Sequence, residues 1–118
     1  MMQRGSPARR RKAPLIRHQT EESFQQQVEE LAELLGWWTF HVYNSRKSKP
    51  GWPDLSCFSE TQKGRALFIE LKKETGIVSI SQRICLARLV AAGQEAGVIR
   101  PSDWDRLVRV LQGDERLV

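Results

Sequence analysis

The sequence is short of several features, and each shortage excludes a class of protein. It has only two cysteines, Cys57 and Cys85. Their spacing is not that of metal ligands, so we expect reduced, packed thiols instead of a disulfide framework or a zinc site. No apolar run approaches the length of a membrane span, and no signal-type apolar region stands near the N-terminus. With 118 residues, the chain is expected to form one small intracellular domain.

Acidic residues are absent from residues 1–18, which carry six basic ones. The other thirteen basic residues face fourteen acidic ones, so the body is near neutral and the net charge of +5 comes from the tail. Its prolines and low apolar content predict disorder when free. Such an arm adds salt-sensitive affinity for phosphate backbone, and the alternative is a solvated tail without a partner. We therefore expect a tail at 1–18 and a folded domain at 19–118.

Two short motifs lie on apolar, strand-like runs. The first is GWPDL at residues 51–55, and the second is ELK at residues 70–72. The polar segment between the two runs contains a glycine, which predicts a hairpin connection. Asp54 and Glu70 are equally far in sequence from Gln62, the middle of that segment. An antiparallel hairpin centred there makes the two carboxylates cross-strand neighbours.

The same hairpin would bring an ammonium group to the carboxylates. Side chains alternate along a strand, so Glu70 and Lys72 share one face. Two carboxylates repel each other unless a cation lies between them, and hard oxygen ligands suit magnesium or manganese. Lys72 would then orient a water or neutralise charge on a phosphate. The alternative is a solvated surface triad. The apolar neighbours of Glu70 favour burial, and buried acids are rare unless they are paired or bound to metal.

Hydrophobic periodicity and capping residues predict the order αβββαβα. The predicted elements begin with a helix at about 21–35 and strands at 37–42, 54–58 and 66–72. A second helix, capped by Ser79 or Ser81 and ending near Gly93, carries Cys85, Leu86, Leu89 and Val90 on one side. A strand at 96–100 and a helix capped by Ser102 follow. This order is typical of an α/β fold with a mixed central sheet flanked by helices.

An ordered series of residues between about 20 and 112 resembles the VRR-NUC (virus-type replication-repair nuclease) domain of the PD-(D/E)xK nuclease superfamily. The matching residues are Thr20, Glu21, Phe24, Gln25, Gly36, Trp37, Phe40, His41, Ser45, Arg46, Gly51, Pro53, Asp54, Leu55, Glu70, Leu71, Lys72, Gly76, Ser79, Gln82, Ala92, Gly93, Arg100, Pro101, Ser102 and Asp103. The family fold has the same αβββαβα order. Asn44, Ile80 and Cys85 depart from the family pattern.

The resemblance implies a metal site and a catalytic lysine. Asp54, Glu70 and the backbone carbonyl of Leu71 would be the metal ligands, and Lys72 the catalytic lysine. Glu21 would be the acid of the first helix and would reach the metal through water. For Glu21, the alternative is an acid favoured by the positive end of a helix.

Three further side chains belong to the same implied site or lie near it in sequence. Glu22 is the alternative to Glu21, and Glu29 is expected at the surface. Gln82 would point toward the site and bind metal water or phosphate, although by itself it is an ordinary polar residue of a first helical turn.

The candidate DNA contacts are basic, polar or aromatic residues close to the two motifs. They are Ser45, Arg46, Lys47, Lys49, Trp52 and Lys73. For the loop residues the alternative is a solvated loop. His41 is expected to pack or to contact phosphate, Trp37 to lie in the core, and Trp104 in the core or a dimer interface.

The resemblance implies a Mg²⁺- or Mn²⁺-dependent endonuclease that cuts branched DNA such as junctions or flaps. Homodimers and a bacterial or phage-infected host cytoplasm are expected with it. The alternative is a DNA-binding module that has the nuclease fold but little activity and acts within a phage packaging or repair complex.

Overall fold

A computed structural model describes residues 20–42 and 50–118. Its elements are α1 (Glu21–Leu34), β1 (Trp37–His41), β2 (Leu55–Ser59), β3 (Ala66–Leu71), α2 (Ile80–Ala91), β4 (Glu95–Ile99), a 3-10 turn (Pro101–Asp103) and α3 (Trp104–Gln112). The predicted order αβββαβα is confirmed. The tail at 1–18 and the candidate contacts Ser45, Arg46, Lys47 and Lys49 lie outside the described residues.

The four strands form one mixed sheet in the order β1-β2-β3-β4. The first three strands are antiparallel, and β4 runs parallel to β3 after the crossover through α2. In the hairpin, Leu55 pairs with Ile69 and Phe58 pairs with Ala66. Extending this register by one residue sets Asp54 opposite Glu70, so the predicted centre at Gln62 is confirmed.

The hydrophobic core lies on one face of the sheet, beneath α1 and α3. It contains alternate residues of β3, Leu67, Ile69 and Leu71, packed with apolar side chains of both helices. Trp37 is buried in this core and its indole N–H donates to the carbonyl of Leu111 at 3.0 Å. Because strand side chains alternate, the residues between them, including Glu70, point to the opposite face.

Helix α2 contacts β3 and β4 and is the least buried of the helices. Ser79 caps it, and Gln82 completes a capping box by accepting from the Ser79 backbone N–H at 2.8 Å. The predicted apolar stripe is wrong in part, because Leu86 is buried whereas Val90 is exposed. This helix lies at the sheet's second face, outside the main core, and needs only a narrow apolar contact.

The thiols also divide between the two faces of the sheet. Cys57 is buried in the main core and Cys85 is half-buried in α2, and neither forms a disulfide. Cys85 is therefore less packed than expected. Burial, reinforced by the charge of Glu29, raises the pKa of Cys57 to about 12, so this thiol stays protonated.

A buried ion pair ties the hairpin loop to the C-terminal segment. Arg65 donates two hydrogen bonds of 2.8 Å to the carboxylate of Glu95, and a third of 2.8 Å to the carbonyl of Val110. Glu95 also accepts from the backbone N–H of Leu117 at 2.9 Å. Burial alone would raise the pKa of Glu95, but the hydrogen bonds from Arg65 and Leu117 outweigh it and lower the pKa. The charged pair is therefore part of the folded core.

Candidate active site

Two carboxyl groups meet where β2 begins and β3 ends. Asp54 follows the buried Pro53 and immediately precedes β2, and Glu70 is the next-to-last residue of β3. The backbone N–H of Leu71 donates to Asp54 Oδ2 at 3.0 Å, which locks the aspartate across the hairpin. The negative charge of Asp54 acts on the carboxyl group of Glu70.

The electrostatics of Glu70 reflect this arrangement. The residue is only 2% exposed. Burial and, after it, the negative charge of the neighbouring Asp54 raise the pKa of Glu70 to about 8. Lys72 opposes the rise, and Glu21 adds to it slightly. Glu70 Oε1 is buried and has no hydrogen-bond partner among the residues described. A cation beside this oxygen would offset the charge of the two carboxylates.

Two side chains approach the other oxygen of Glu70. Lys72 Nζ lies 3.8 Å from Glu70 Oε2, and Gln82 Nε2 donates to the same oxygen at 3.0 Å. The capping box holds the Gln82 carbonyl oxygen against Ser79, so its amide N–H₂ is aimed at the sheet. Oε2 is thus held by the protein while Oε1 stays open.

A cleft of about 320 Å³ opens beside Asp54 and Leu71 at the start of α1. Its other lining residues are Glu21, Glu22, Gln25 and His41. Both glutamates are exposed, but only Glu21 contributes to the pKa shift of Glu70. Of the two predicted alternatives for the first-helix acid, Glu21 is therefore the one electrostatically coupled to the carboxyl pair.

Glu29 stands apart from this cleft. Its carboxylate accepts from Gln25 at 2.7 Å, and its charge acts on Cys57. It is half-buried rather than a fully exposed surface residue.

The donor set near Asp54 and Glu70 fits a hard divalent cation. Carboxylate and carbonyl oxygens are the ligands that magnesium and manganese prefer, and magnesium usually keeps several waters. Among residues 20–42 and 50–118, no group of three or more His, Cys, Asp or Glu side chains is arranged to hold a metal ion. A metal at this position would therefore rest on two carboxylates, with further oxygens from the backbone, water or substrate.

The other residues predicted to contact DNA or to pack lie in different environments. Lys73 is exposed, and its backbone carbonyl accepts from Arg100 at 2.9 Å. Trp52 is 39% exposed and lies two residues before Asp54. His41 is half-buried at the cleft, and Trp104 is buried in the core.

The hydrogen bonds of Arg100 to distant backbone carbonyls were not predicted from the sequence. Its guanidinium also donates to the carbonyl of Gly76 at 2.7 Å, which pins the segment that follows Lys72. The sequence RPSD at residues 100–103 indicates the start of a helix, but it does not predict this contact with Gly76.

A mixed α/β sheet whose hairpin carries two facing carboxylates and a lysine defines a nuclease core of the PD-(D/E)xK type. The family model of the VRR-NUC domain matches residues 6–103, so the chain belongs to the VRR-NUC family. The match starts within the predicted tail and ends before α3. Membership supports a nuclease, hence hydrolase, activity with DNA as substrate, and nucleases of this family typically use divalent metals.

The other comparisons add nothing to this assignment. Neither the curated proteins nor the solved structures give a significant match. Within the part of the chain that the structure describes, no helix is both long and apolar enough to cross a membrane.

Proposed function

We propose that this protein is a Mg²⁺- or Mn²⁺-dependent endodeoxyribonuclease that hydrolyses phosphodiester bonds in branched DNA, such as junctions or flaps. The observation that carries the proposal is the buried Glu70, which faces Asp54 with one oxygen open and Lys72 beside the other. Burying a carboxylate in an apolar strand costs free energy unless a hydrogen bond or a cation compensates it. A cation bound there for a reaction on a phosphate accounts for two carboxylates lying side by side.

The residues of the site would have separate roles. Asp54, Glu70 and the Leu71 carbonyl would hold the ion, and Glu21 would act on it through water. When bound, the ion polarises a phosphoryl oxygen and makes a water more acidic. Lys72 would donate to the attacking water or to a phosphate oxygen and offset the charge that develops there. Gln82 would keep Glu70 oriented and offer its amide to water or phosphate.

Recognition of DNA shape follows from the size of the domain. The described residues form one sheet with three helices, and each helix either packs on the sheet or borders the site. Recognition would then depend on the phosphate backbone and on DNA geometry. Lys73 and Trp52 are candidates for such contacts, together with Ser45, Arg46, Lys47 and Lys49.

We also propose a homodimer. Cutting two strands of a junction calls for two sites, and a two-fold axis would pair them. Light scattering with and without junction DNA tests this, and a monomer mass at every concentration would refute it.

The nuclease itself is tested with a labelled panel of single strand, duplex, flap, splayed arm and four-way junction. Each DNA is incubated with Mg²⁺, Mn²⁺ or EDTA. Lys72→Ala should abolish cutting, whereas Lys63→Ala, which alters an exposed lysine in the hairpin loop, should leave it intact. Cutting of branched DNA that requires metal and Lys72 is the expected result. Binding of junction DNA without cutting in either metal would refute the enzyme and favour a DNA-binding module.

A further inference from the structure

The second face of the sheet carries a row of aromatic rings whose two end members, Trp38 and Trp52, are exposed. Ring centroids lie 6.0 Å apart between Trp52 and Phe68, 6.3 Å between Phe68 and Phe58, and 5.3 Å between Phe58 and Trp38. Trp38 is 60% exposed and the nearby Phe40 is 56% exposed. Exposed apolar patches of this kind mark interaction sites. We call the four contacting rings the aromatic row.

The aromatic row is continuous with the candidate active site. Phe68 and Glu70 are two residues apart on β3, so their side chains share a face. Trp52 likewise lies two residues before Asp54. The row therefore begins beside the carboxyl pair and extends across the sheet to the edge strand β1.

The position of Trp52 is set by close contact of its loop with α2. Gly51 has φ of +87°, and a Cβ placed on it would lie 2.3 Å from the backbone oxygen of Ser81. Only glycine allows the loop to approach the first turn of α2 this closely. Ser81 immediately precedes Gln82, which binds Glu70. The indole is thus held at a fixed place relative to the carboxyl pair.

The groove between Trp52 and α2 is apolar but has a cationic rim. Ile84 and Leu89 line it together with Arg88, which is exposed. Helix α2 also carries Arg83 and has no acidic residue. This combination of rings and guanidinium groups matches a ligand with flat apolar faces and a negatively charged backbone.

We propose that the aromatic row binds unpaired bases of the DNA substrate next to the bond that is cut. The row then selects DNA with a single-stranded portion at that position, and the proposal rests on the proposed nuclease function. Bases stack on aromatic side chains whatever their sequence, and arginine contacts the phosphates between them.

Charge favours DNA over a second copy of the chain as the occupant. In a two-fold interface the same patch meets itself. A second copy would then bring its own Arg88 into an interface that already contains one, which adds like charge to the groove. A phosphate backbone satisfies the same charges.

The test measures binding apart from cutting. Lys72→Ala protein in EDTA is titrated with labelled single strand and with duplex of the same sequence, read by fluorescence anisotropy. Adding Trp38→Ala or Trp52→Ala should weaken single-strand binding by about tenfold and change duplex binding by less than threefold. Replacement by phenylalanine should restore most of the loss. Leu34→Ala removes a highly exposed apolar side chain of α1 and should change neither affinity.

Three results would overturn the proposal: unchanged affinity for single strand, equal loss for both DNAs, or a dimer mass that becomes monomeric when the rings are removed. The last result would assign the row to a second copy. Circular dichroism of each variant establishes that it is folded. Because the binding test requires no cleavage, the two proposals fail separately: a wild-type protein that cuts none of the DNAs would refute the nuclease, while loss of single-strand affinity in the tryptophan variants would still support the aromatic row.

Discussion

Replacing Glu70 by glutamine keeps the shape of the side chain and removes its titratable group. In the wild-type protein, burial and Asp54 raise the pKa of Glu70 from 4.5 to about 8. The folded state therefore holds this proton more tightly than the unfolded chain. By linkage, Glu70 makes the metal-free protein less stable as the pH rises from about 4.5 to about 8.

The size of the effect follows from the shift. A tenfold change in proton affinity corresponds to about 1.4 kcal/mol, so the loss of wild-type stability across this range is roughly 3–5 kcal/mol. The Glu70→Gln protein should not show this loss. Other groups titrate too, but they are common to both proteins and cancel in the comparison.

The assay is urea unfolding in EDTA at pH values between 5 and 9, followed by tryptophan fluorescence. We expect Glu70→Gln to gain stability relative to wild type as the pH rises. Glu22→Gln is the matched control, since it removes an exposed acid from the same cleft and should follow the wild-type profile. Parallel wild-type and Glu70→Gln profiles would refute the raised pKa of the buried Glu70.

Two further predictions concern the framework around the site. Arg65→Ala leaves Glu95 buried without its main partner, so urea or thermal unfolding should show that the free energy of unfolding falls by about 3–5 kcal/mol. Replacing the exposed Arg116 by alanine should lower it by only about 0–1 kcal/mol. Equal losses would contradict a structural role for the Arg65–Glu95 pair. Gly51→Ala adds a backbone clash to a positive φ, whereas Gly64→Ala has a positive φ with no atom near the new Cβ. The first should therefore destabilise the protein by at least about 1 kcal/mol more than the second, and similar losses would argue against the close contact with α2.

The hairpin illustrates how far local pattern reaches. Two apolar runs and a polar turn centred on Gln62 were enough to predict that Asp54 faces Glu70, because side-chain alternation and antiparallel pairing permit one register that buries the apolar side chains. Helix starts at Thr20 and Ser79 were likewise predictable, since a cap depends on residues three positions apart.

The state of the site could not be predicted in this way. The pKa of Glu70 is raised, Gln82 holds one of its oxygens, and Arg100 holds the segment after Lys72 through contacts far apart in sequence. Burial and charge depend on which elements meet, and no short window contains that information.

The sequence by itself determined the element order, the hairpin register and the pairing of two carboxylates with a lysine, because these depend on periodicity and spacing along one or two neighbouring strands. The tertiary structure alone decided which sheet face is covered. It placed α1 and α3 over one face and left α2 at the other, so Val90 is exposed and the rings from Trp38 to Trp52 form an open row. The physical reason is that a residue's exposure is set by the elements packed against it, whereas its strand or helix is set mainly by its neighbours in the chain.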